Sequence, residues 1–290
     1  MLRIATRGSA LARWQADHVA ALLGGDAELV VVQTEGDRRT DVALHELGGQ
    51  GVFVKEIQAA VLDGRADIAV HSAKDLPSSF GPDGLTIGGV PERGDVRDGL
   101  VGCRLADLPE GATVATGSVR RRSQLAALRP DLRFEGLRGN METRVARATG
   151  GVVVVVAVAA LQRLGLADRI TEVLEPSVML PQVGQGALAI ECRVDDAATR
   201  RRLLGIEHRP SRIAVDAERA FLRTIGGGCD APVGAYATVT AGGAIDLEVL
   251  VAAPDGSVVE RRRAGGSDPE AVGATAASLL PPELLQSTGQ

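Results

Sequence analysis

Short apolar runs alternate with helical segments along the first half of the chain, and this alternation constrains the fold more than any other feature. Residues 2–6, 28–34 and 66–72 are apolar runs of strand length, and helices are predicted between them at 10–23 and 52–62. Strands that alternate with helices in this way form parallel or mixed sheets. The sequence therefore predicts an α/β fold, whose ligands bind beyond the carboxyl ends of the strands.

The alternation occurs a second time, which predicts two similar lobes. Strands at 112–115, 132–137 and 152–158 are separated by predicted helices at 119–128 and 141–148. A chain of 290 residues also exceeds what one compact core usually supports, so two or three domains are expected.

Breaks in the pattern predict the domain boundaries. The polar residues 91–99 (PERGDVRDG) are a predicted linker, and PQVGQG at 181–186 is a predicted second crossing between lobes. From about residue 209, short strands separated by turns predict a small α+β domain with a three-stranded antiparallel sheet. The predicted domains are 1–92 completed by 187–206, then 97–184, then 209–290.

Arginine is concentrated between Thr116 and Arg147, where eight arginines stand against three acids although the whole chain has a net charge of −5. Arginine presents a rigid fork of donors suited to carboxylate or phosphate. Residues 116–118 (TGS) join a strand to a helix, where backbone N–H groups and the helix dipole attract anions. The stretch predicts a pocket for a multiply charged anion. The alternative is a solvated helix face, and a chain with thirty arginines and two lysines also reflects coding bias.

Composition argues against several other classes of protein. Aromatic residues make up 2% of the chain, which weakens single-strand nucleic-acid binding because base stacking needs aromatic rings. Three widely spaced cysteines without a CxxC pair predict neither a metal site nor disulfides, and fit a reduced, cytoplasmic protein. The N-terminus lacks the apolar region of a signal peptide, and the apolar run 152–161 is too short to span a bilayer.

Two short motifs carry side chains suited to chemistry. His71 to Asp75 (HSAKD) places a hydroxyl, an ammonium and a carboxylate at the end of a predicted strand, although a polar loop with an aspartate cap is the alternative. Cys229 follows three glycines and precedes an aspartate. Glycines allow special dihedral angles and close approach to a ligand, so we interpret Cys229 as a reactive or modified thiol. Cys103 and Cys192 lie in apolar surroundings and are predicted to be core residues.

Nine collinear segments, spread along nearly the whole chain, carry a resemblance to a known family. They are IATRGSALARWQA (4–16), LGGQGVFVKEI (47–57), RADIAVHSAKDLP (65–77), ATGSVRRRSQL (115–125), RPDLRFEGLRGNMETR (129–144), LQRLGL (161–166), LPQVGQGALAIECR (180–193), AERAFLRTIGGGCDAPVGAYA (217–237) and LVAAPDG (250–256). Any one segment is weakly specific, but their order and number make the chain similar to the hydroxymethylbilane synthase family, also called porphobilinogen deaminase.

The resemblance implies a transferase of tetrapyrrole and haem biosynthesis. Such an enzyme joins four porphobilinogen molecules head to tail with loss of ammonia, and then releases 1-hydroxymethylbilane. It implies a dipyrromethane cofactor held by a thioether to Cys229, and Asp75 as the catalytic carboxylate. Loss of ammonia leaves positive charge on a pyrrole nitrogen, which a fixed carboxylate can stabilise. A cytoplasmic monomer without nucleic-acid or membrane partners is expected.

The resemblance also assigns the remaining site residues. Each porphobilinogen carries an acetate and a propionate, so cofactor and growing chain both need fixed cations. The implied cofactor-binding residues are Ser72, Lys74, Asp75, Thr116, Ser118, Arg120 and Arg121. The implied substrate-binding residues are Arg7, Ser9, Gln15, Phe53, Arg138, Arg144 and Arg163.

The chain departs from the family pattern at Glu46, Gln50, Gly117 and Gly226. We expect these departures to alter loop gating or substrate affinity rather than to remove the chemistry. A slow or specialised paralogue is one alternative function. The other is a non-enzymatic anion-binding protein, because the two-lobed architecture resembles periplasmic binding proteins.

Overall fold

The computed structural model describes residues 1–34, 54–78, 82–227 and 231–286, and all structural statements concern these residues. The strands are β1 (Leu2–Arg7), β2 (Ala27–Val32), β3 (Ile68–Ser72), β4 (Leu85–Gly89), β5 (Asp98–Val101), β6 (Thr113–Ala115), β7 (Arg133–Glu135), β8 (Val153–Ala157), β9 (Glu172–Leu174), β10 (Leu188–Arg193), β11 (Val233–Val239), β12 (Ile245–Ala252) and β13 (Val259–Gly266). The helices are α1 (Ala10–Leu22), α2 (Lys55–Leu62), α3 (Val119–Leu128), α4 (Met141–Ala146), α5 (Val158–Arg163), α6 (Ala197–Leu204), α7 (Arg209–Thr224), α8 (Pro269–Ser278) and α9 (Pro282–Gln286).

The first two sheets have the same strand order and the same strand directions. One sheet runs β2-β1-β3-β10-β4 and the other β7-β6-β8-β5-β9. In each, the first three strands are parallel, and the fourth is antiparallel to both of its neighbours. The predicted pair of similar α/β lobes is confirmed.

Each fourth strand follows a segment that crosses between the lobes. The chain leaves the first lobe through residues 90–97 and enters the second sheet as β5; it returns through 181–187 and enters the first sheet as β10. The predicted linker at 91–99 is therefore too long, because β5 begins at Asp98. The strand is short and contains a glycine, so its sequence carries little strand signal.

Strand β8 shows why each lobe has helices on both faces of its sheet. All five of its residues are buried. Val153 and Val155 belong to one core cluster, whereas Val154 and Val156 belong to another. Because successive strand side chains point to opposite faces, both faces of the sheet are covered, as is usual for parallel strands.

The third sheet is the predicted antiparallel meander, in the order β11-β12-β13. Strand β12 ends at Ala252 and strand β13 begins at Val259, so residues 253–258 connect them. Helices α7 and α8 pack against the sheet around Phe221, which is completely buried.

Glu218 joins this third domain to both crossing segments. Its fully buried carboxylate accepts two hydrogen bonds from the guanidinium of Arg93, at 2.6 and 3.0 Å. It also accepts hydrogen bonds from the backbone N–H groups of Gly184 and Ala237, at 2.7 and 2.9 Å. One side chain on α7 thus holds residue 93 of the first crossing, residue 184 of the second, and strand β11.

Candidate functional site

An open pocket of about 410 Å³ lies at the carboxyl ends of β1 and β3. These parallel strands are neighbours, with Ile4 opposite Ile68, so Arg7 and Ser72 reach the same sheet edge. A short 3-10 helix, Ala73–Asp75, follows β3 and brings Asp75 to the pocket. Five predicted site residues line it together: Arg7, Ser9, Gln15, Ser72 and Asp75.

The amino end of α1 forms one side of this pocket. Ser9 is the N-cap of the helix, and its hydroxyl accepts a hydrogen bond from the Ala12 N–H at 3.3 Å. The Gln15 amide, one turn further, donates to the Ser72 hydroxyl at 2.8 Å. Anions are stabilised near a helix amino terminus, so the local backbone favours a carboxylate at this place.

Three buried polar side chains contact one another next to the pocket. His71 Nε2 lies 3.0 Å from Glu191 Oε2, and the Gln58 amide lies 3.0 Å from both oxygens of the same carboxylate. All three side chains are buried. They join β3, β10 and α2 immediately behind Ser72, so they fix the strand end that leads to Asp75.

Arg120 and Arg121, both predicted cofactor-binding residues, are buried in the first turn of α3. They hold Asp98 between them: Arg120 Nη2 lies 2.8 Å from Oδ2 and Arg121 Nη2 lies 2.7 Å from Oδ1. Burial opposes ionisation of Asp98, but the two guanidiniums outweigh it and hold the pKa of the carboxyl well below its usual range. Gln185 also donates to this carboxylate at 2.9 Å, which ties the second crossing to the group.

Lys74 lies beside the same cations. Burial, the largest cause, and the nearby Arg121 lower the pKa of its ammonium to about 8, while Asp75 acts in the opposite direction. Its Nζ lies 3.5 Å from Gln185 Oε1. Lys74 and Arg120 line a second pocket of about 350 Å³, whose wall includes Ala231 from the third domain.

Cys229, the predicted attachment residue, lies outside the described residues, as do Phe53, Glu46 and Gln50. The residues that flank it are placed. Ser78 of the first lobe donates to the Gly227 carbonyl at 3.2 Å, and Ala231 lines the pocket that contains Lys74. Ala231, two residues after Cys229, therefore borders the pocket that contains Lys74, while Gly227, two residues before it, contacts the first lobe through Ser78.

Arg144, on α4 of the second lobe, interacts electrostatically with residues of the first pocket. Burial, the largest cause, lowers the pKa of its guanidinium, and the guanidiniums of Arg121, Arg138 and Arg7 lower it further. Asp75 raises it. Arg144 therefore lies within electrostatic reach of Asp75, of Arg121 and Arg138 in its own lobe, and of Arg7 in the first lobe.

Arg163, on α5, spans the lobes. It donates to the Gly186 carbonyl of the second crossing at 2.6 Å, and its guanidinium carbon lies 5.6 Å from the ring centroid of Trp14 on α1. Burial lowers the pKa of Arg163 to about 10.

Thr116 and Ser118 shape the amino end of α3. Ser118 is its N-cap and accepts from the Arg121 N–H at 3.4 Å, while the Thr116 hydroxyl accepts from the Ser118 N–H at 3.2 Å. Between them, a Cβ on Gly117 would lie 2.9 Å from the Leu137 carbonyl oxygen. This close approach explains why glycine stands at 117, one of the departures from the family pattern.

Four further residues help to build the site and were not predicted from the sequence: Asp98, Gln185, Arg93 and Glu218. Asp98 and Arg93 lie in the stretch interpreted as a polar linker. Glu218 lies in a helix with several other charged residues, and nothing in the sequence distinguishes it from them. The one sequence feature that pointed toward these residues was the motif PQVGQG, with its repeated Gln and Gly. It predicted that the chain crosses between the lobes there, but it did not show which residues contact the crossing.

The chain matches known proteins over most of its length. Residues 2–201 match the family model "Porphobilinogen deaminase, dipyromethane cofactor binding domain", and residues 212–281 match "Porphobilinogen deaminase, C-terminal domain". A porphobilinogen deaminase of Nitratidesulfovibrio vulgaris is 49% identical over 91% of this chain and 86% of its own. One of Brevibacillus brevis is 45% identical over 99% of this chain and 95% of its own.

Solved structures include an ancestral cationic amino acid solute binding protein, similar with a TM-score of 0.42 and 13% identity over 70% of this chain and 86% of its own. Among the described residues, no helix has both the length and the apolar character needed to cross a membrane.

Proposed function

The chain belongs to the porphobilinogen deaminase family, and on that premise we propose that it condenses four porphobilinogen molecules head to tail, releases ammonia at each step, and then releases 1-hydroxymethylbilane by hydrolysis. One observation carries the proposal: Arg7 and Asp75 line one pocket at the carboxyl ends of β1 and β3, and Arg144 of the second lobe lies within electrostatic reach of both. A substrate with two carboxylates and a reaction centre that becomes positive needs this combination of cations and one anion.

The residues present fit a dipyrromethane cofactor. Its acetate and propionate groups need fixed cations. The partly buried Lys74 and the buried Arg120 line the pocket that Ala231 borders, two residues after Cys229, and Arg121 is buried next to Arg120 in the chain. Within the described residues, the buried Nε of Arg120 has no hydrogen-bond partner, although a buried N–H group normally has one. When bound, the cofactor supplies the pyrrole end on which the chain grows. We propose Ser72, Thr116 and Ser118 as further contacts to it.

Asp75 is the proposed catalytic residue. Its carboxylate lines the first pocket, at the end of the strand braced by His71 and Glu191. There it would stabilise the positive charge that develops on the substrate's pyrrole nitrogen as ammonia leaves, and it would accept and return protons. Arg7, Arg138, Arg144 and Arg163, with Ser9, Gln15 and Phe53, would bind the carboxylates and ring of the incoming substrate and the growing chain.

Mass spectrometry of the intact protein tests the proposal. Purified wild-type protein should carry a mass increment equal to two linked pyrrole units, and Cys229→Ser should lack it. Cys103→Ser is the matched control, because Cys103 lies outside both pockets, and it should keep the increment. A wild-type chain that stays unmodified after incubation with porphobilinogen would contradict the proposal.

We further propose that the protein acts as a monomer in the cytoplasm and that it does not bind nucleic acid. All the residues assigned here lie within one chain, and the net charge of −5 disfavours a polyanionic partner. A non-enzymatic anion-binding protein would bind porphobilinogen reversibly and leave its mass unchanged, so the same mass measurement separates the two functions.

A further inference from the structure

Trp14, the single tryptophan of the chain, lies where the two lobes meet. It belongs to α1 of the first lobe, and the guanidinium carbon of Arg163, from the second lobe, lies 5.6 Å from its ring centroid. His18, one turn along α1, stacks on Trp14 with a centroid distance of 5.0 Å and an interplanar angle of 11°. The indole is thus part of a three-member stack that links the lobes.

Arg163 makes no ion pair with an acid among the described residues. Burial lowers the pKa of its guanidinium, and no carboxylate among the described residues raises it. Burial also lowers the pKa of His18, and the guanidinium of Arg163 lowers it further. Arg163 is partly buried, and a cation removed from water without an anion is costly unless other groups stabilise it. Here those groups are the indole face and the Gly186 carbonyl.

We propose that Trp14 is a positioning residue, which holds the guanidinium of Arg163 across the opening between the lobes and thereby sets the place where a substrate carboxylate binds. The inference rests on the proposed function, because it takes Arg163 to be substrate-binding. A cation–π contact uses the face of the guanidinium, whereas a carboxylate binds its N–H edge, so both contacts can exist together.

Three separate parts of the chain locate this guanidinium. Trp14 belongs to the first lobe, the Arg163 backbone to the second, and Gly186 to the crossing. The Gly186 carbonyl also accepts from the Gly94 N–H at 3.1 Å, so the two crossings meet at the same point. An arginine released from the indole has more rotamers to lose when it binds a carboxylate. Loss of Trp14 should therefore weaken substrate binding more than it slows the chemical step.

Fluorescence of the cofactor-loaded enzyme tests the contact directly, because Trp14 is the only tryptophan. Arg163→Leu should change the intensity or the emission maximum of Trp14. Arg169→Leu removes an exposed guanidinium from the same lobe and should leave the spectrum unchanged. If Arg163→Leu has the wild-type spectrum, the contact does not exist in solution and the inference is overturned.

Kinetics test the positioning role. Trp14→Leu should raise the KM for porphobilinogen by about 2- to 30-fold, the range expected for one cation–π contact, with a smaller effect on kcat. Trp14→Phe keeps an aromatic face and should raise the KM less than Trp14→Leu; it also decides the matter if the leucine variant does not fold. Turnover with a wild-type KM in both variants overturns this inference alone. A wild-type enzyme that makes no hydroxymethylbilane overturns the proposed function as well.

Discussion

Asp98 shows how far the role of one residue depends on its surroundings. It stands in the stretch PERGDVRDG, which is typical of a solvated linker. In the structure its carboxylate is completely buried between Arg120 and Arg121. Two buried guanidiniums without this anion would carry a large desolvation cost. Asp98 therefore holds both arginines in fixed orientations, and an arriving carboxylate meets donors that need little reorganisation.

Asp75→Asn should leave the fold and the cofactor in place and lower kcat by about 100-fold or more, because an amide carries no negative charge and cannot accept the proton. Turnover measured with porphobilinogen, beside the mass of the loaded protein, checks both parts. Asp83→Asn, at a residue exposed to solvent in the same lobe, is the control and should keep full activity. Near-normal turnover in Asp75→Asn would refute the assigned role.

Lys74 should make the stability of the cofactor-free protein depend on pH. Its folded pKa of about 8 lies below the ordinary value of 10.5, so between these values the unfolded chain binds the proton and the folded chain does not. Stability therefore rises with pH across this window. In a Cys229→Ser background, the free energy of unfolding of the lysine protein should gain about 1–3 kcal/mol relative to Lys74→Met between pH 7 and pH 10.

Urea denaturation at several pH values measures that difference, and subtracting the Lys74→Met curve removes the titration of all other groups. If the unfolding free energies of the lysine protein and of Lys74→Met change equally with pH, the pKa of Lys74 is not lowered by folding and the prediction is wrong. In the cofactor-loaded protein the gain should shrink, because the cofactor's carboxylates would stabilise the charged form.

The two crossing segments are the elements on which the site depends most. They deliver β5 and β10 to opposite lobes, and they carry Asp98, Gln185 and Gly186 to the same place. Gly186 has φ +84°, and a Cβ there would lie 2.6 Å from the Gly94 carbonyl oxygen and 2.8 Å from that of Asp95. Glycine is needed here for two reasons, a left-handed backbone and the close approach of the other crossing.

Gly186→Ala should accordingly destabilise the protein by about 1–3 kcal/mol more than Gly165→Ala. Gly165 is a matched control because its φ is +69° but a Cβ would meet nothing within 4 Å. The alanine there adds only the cost of the left-handed conformation, about 1–2 kcal/mol. Denaturant midpoints of the two variants give the comparison. Equal losses of stability would mean that the crossings do not pack as closely as described.

At the scale of the whole molecule, Glu218 determines how the third domain sits on the two lobes. Its carboxylate accepts from Arg93 on one crossing and from the Gly184 backbone on the other. The third domain is therefore attached through this residue to both crossing segments rather than to one lobe alone.

Glu218→Gln should cost about 3–5 kcal/mol of unfolding free energy, because Arg93 would keep a buried charge without its anion. Glu270→Gln is the matched control: Glu270 pairs with Arg223 at the surface and is 67% exposed. An exposed pair contributes below about 1 kcal/mol. Urea denaturation of both variants checks the prediction, which fails if the two glutamines cost the same.

Much of the architecture was predictable from local pattern. The alternation of strands and helices, the two similar lobes and the antiparallel third sheet are confirmed, because hydrophobic period and turn residues act over a few positions. The misses were short strands such as β5 and β9, where three or four residues carry little signal. The assignments of Asp75, Cys229 and the individual arginines came from the family resemblance, and they stay proposals.

By itself, the sequence determined which chemical groups are available: many guanidiniums, a carboxylate at a strand end and a thiol among glycines. Only the tertiary structure decided what each group meets. Arg120 pairs with Asp98 22 positions away, and Arg93 pairs with Glu218 125 positions away. Trp14 meets Arg163 across the two lobes. Ion pairs and ring contacts depend on separation in space and on burial, and two crossings that bring distant segments together set both quantities.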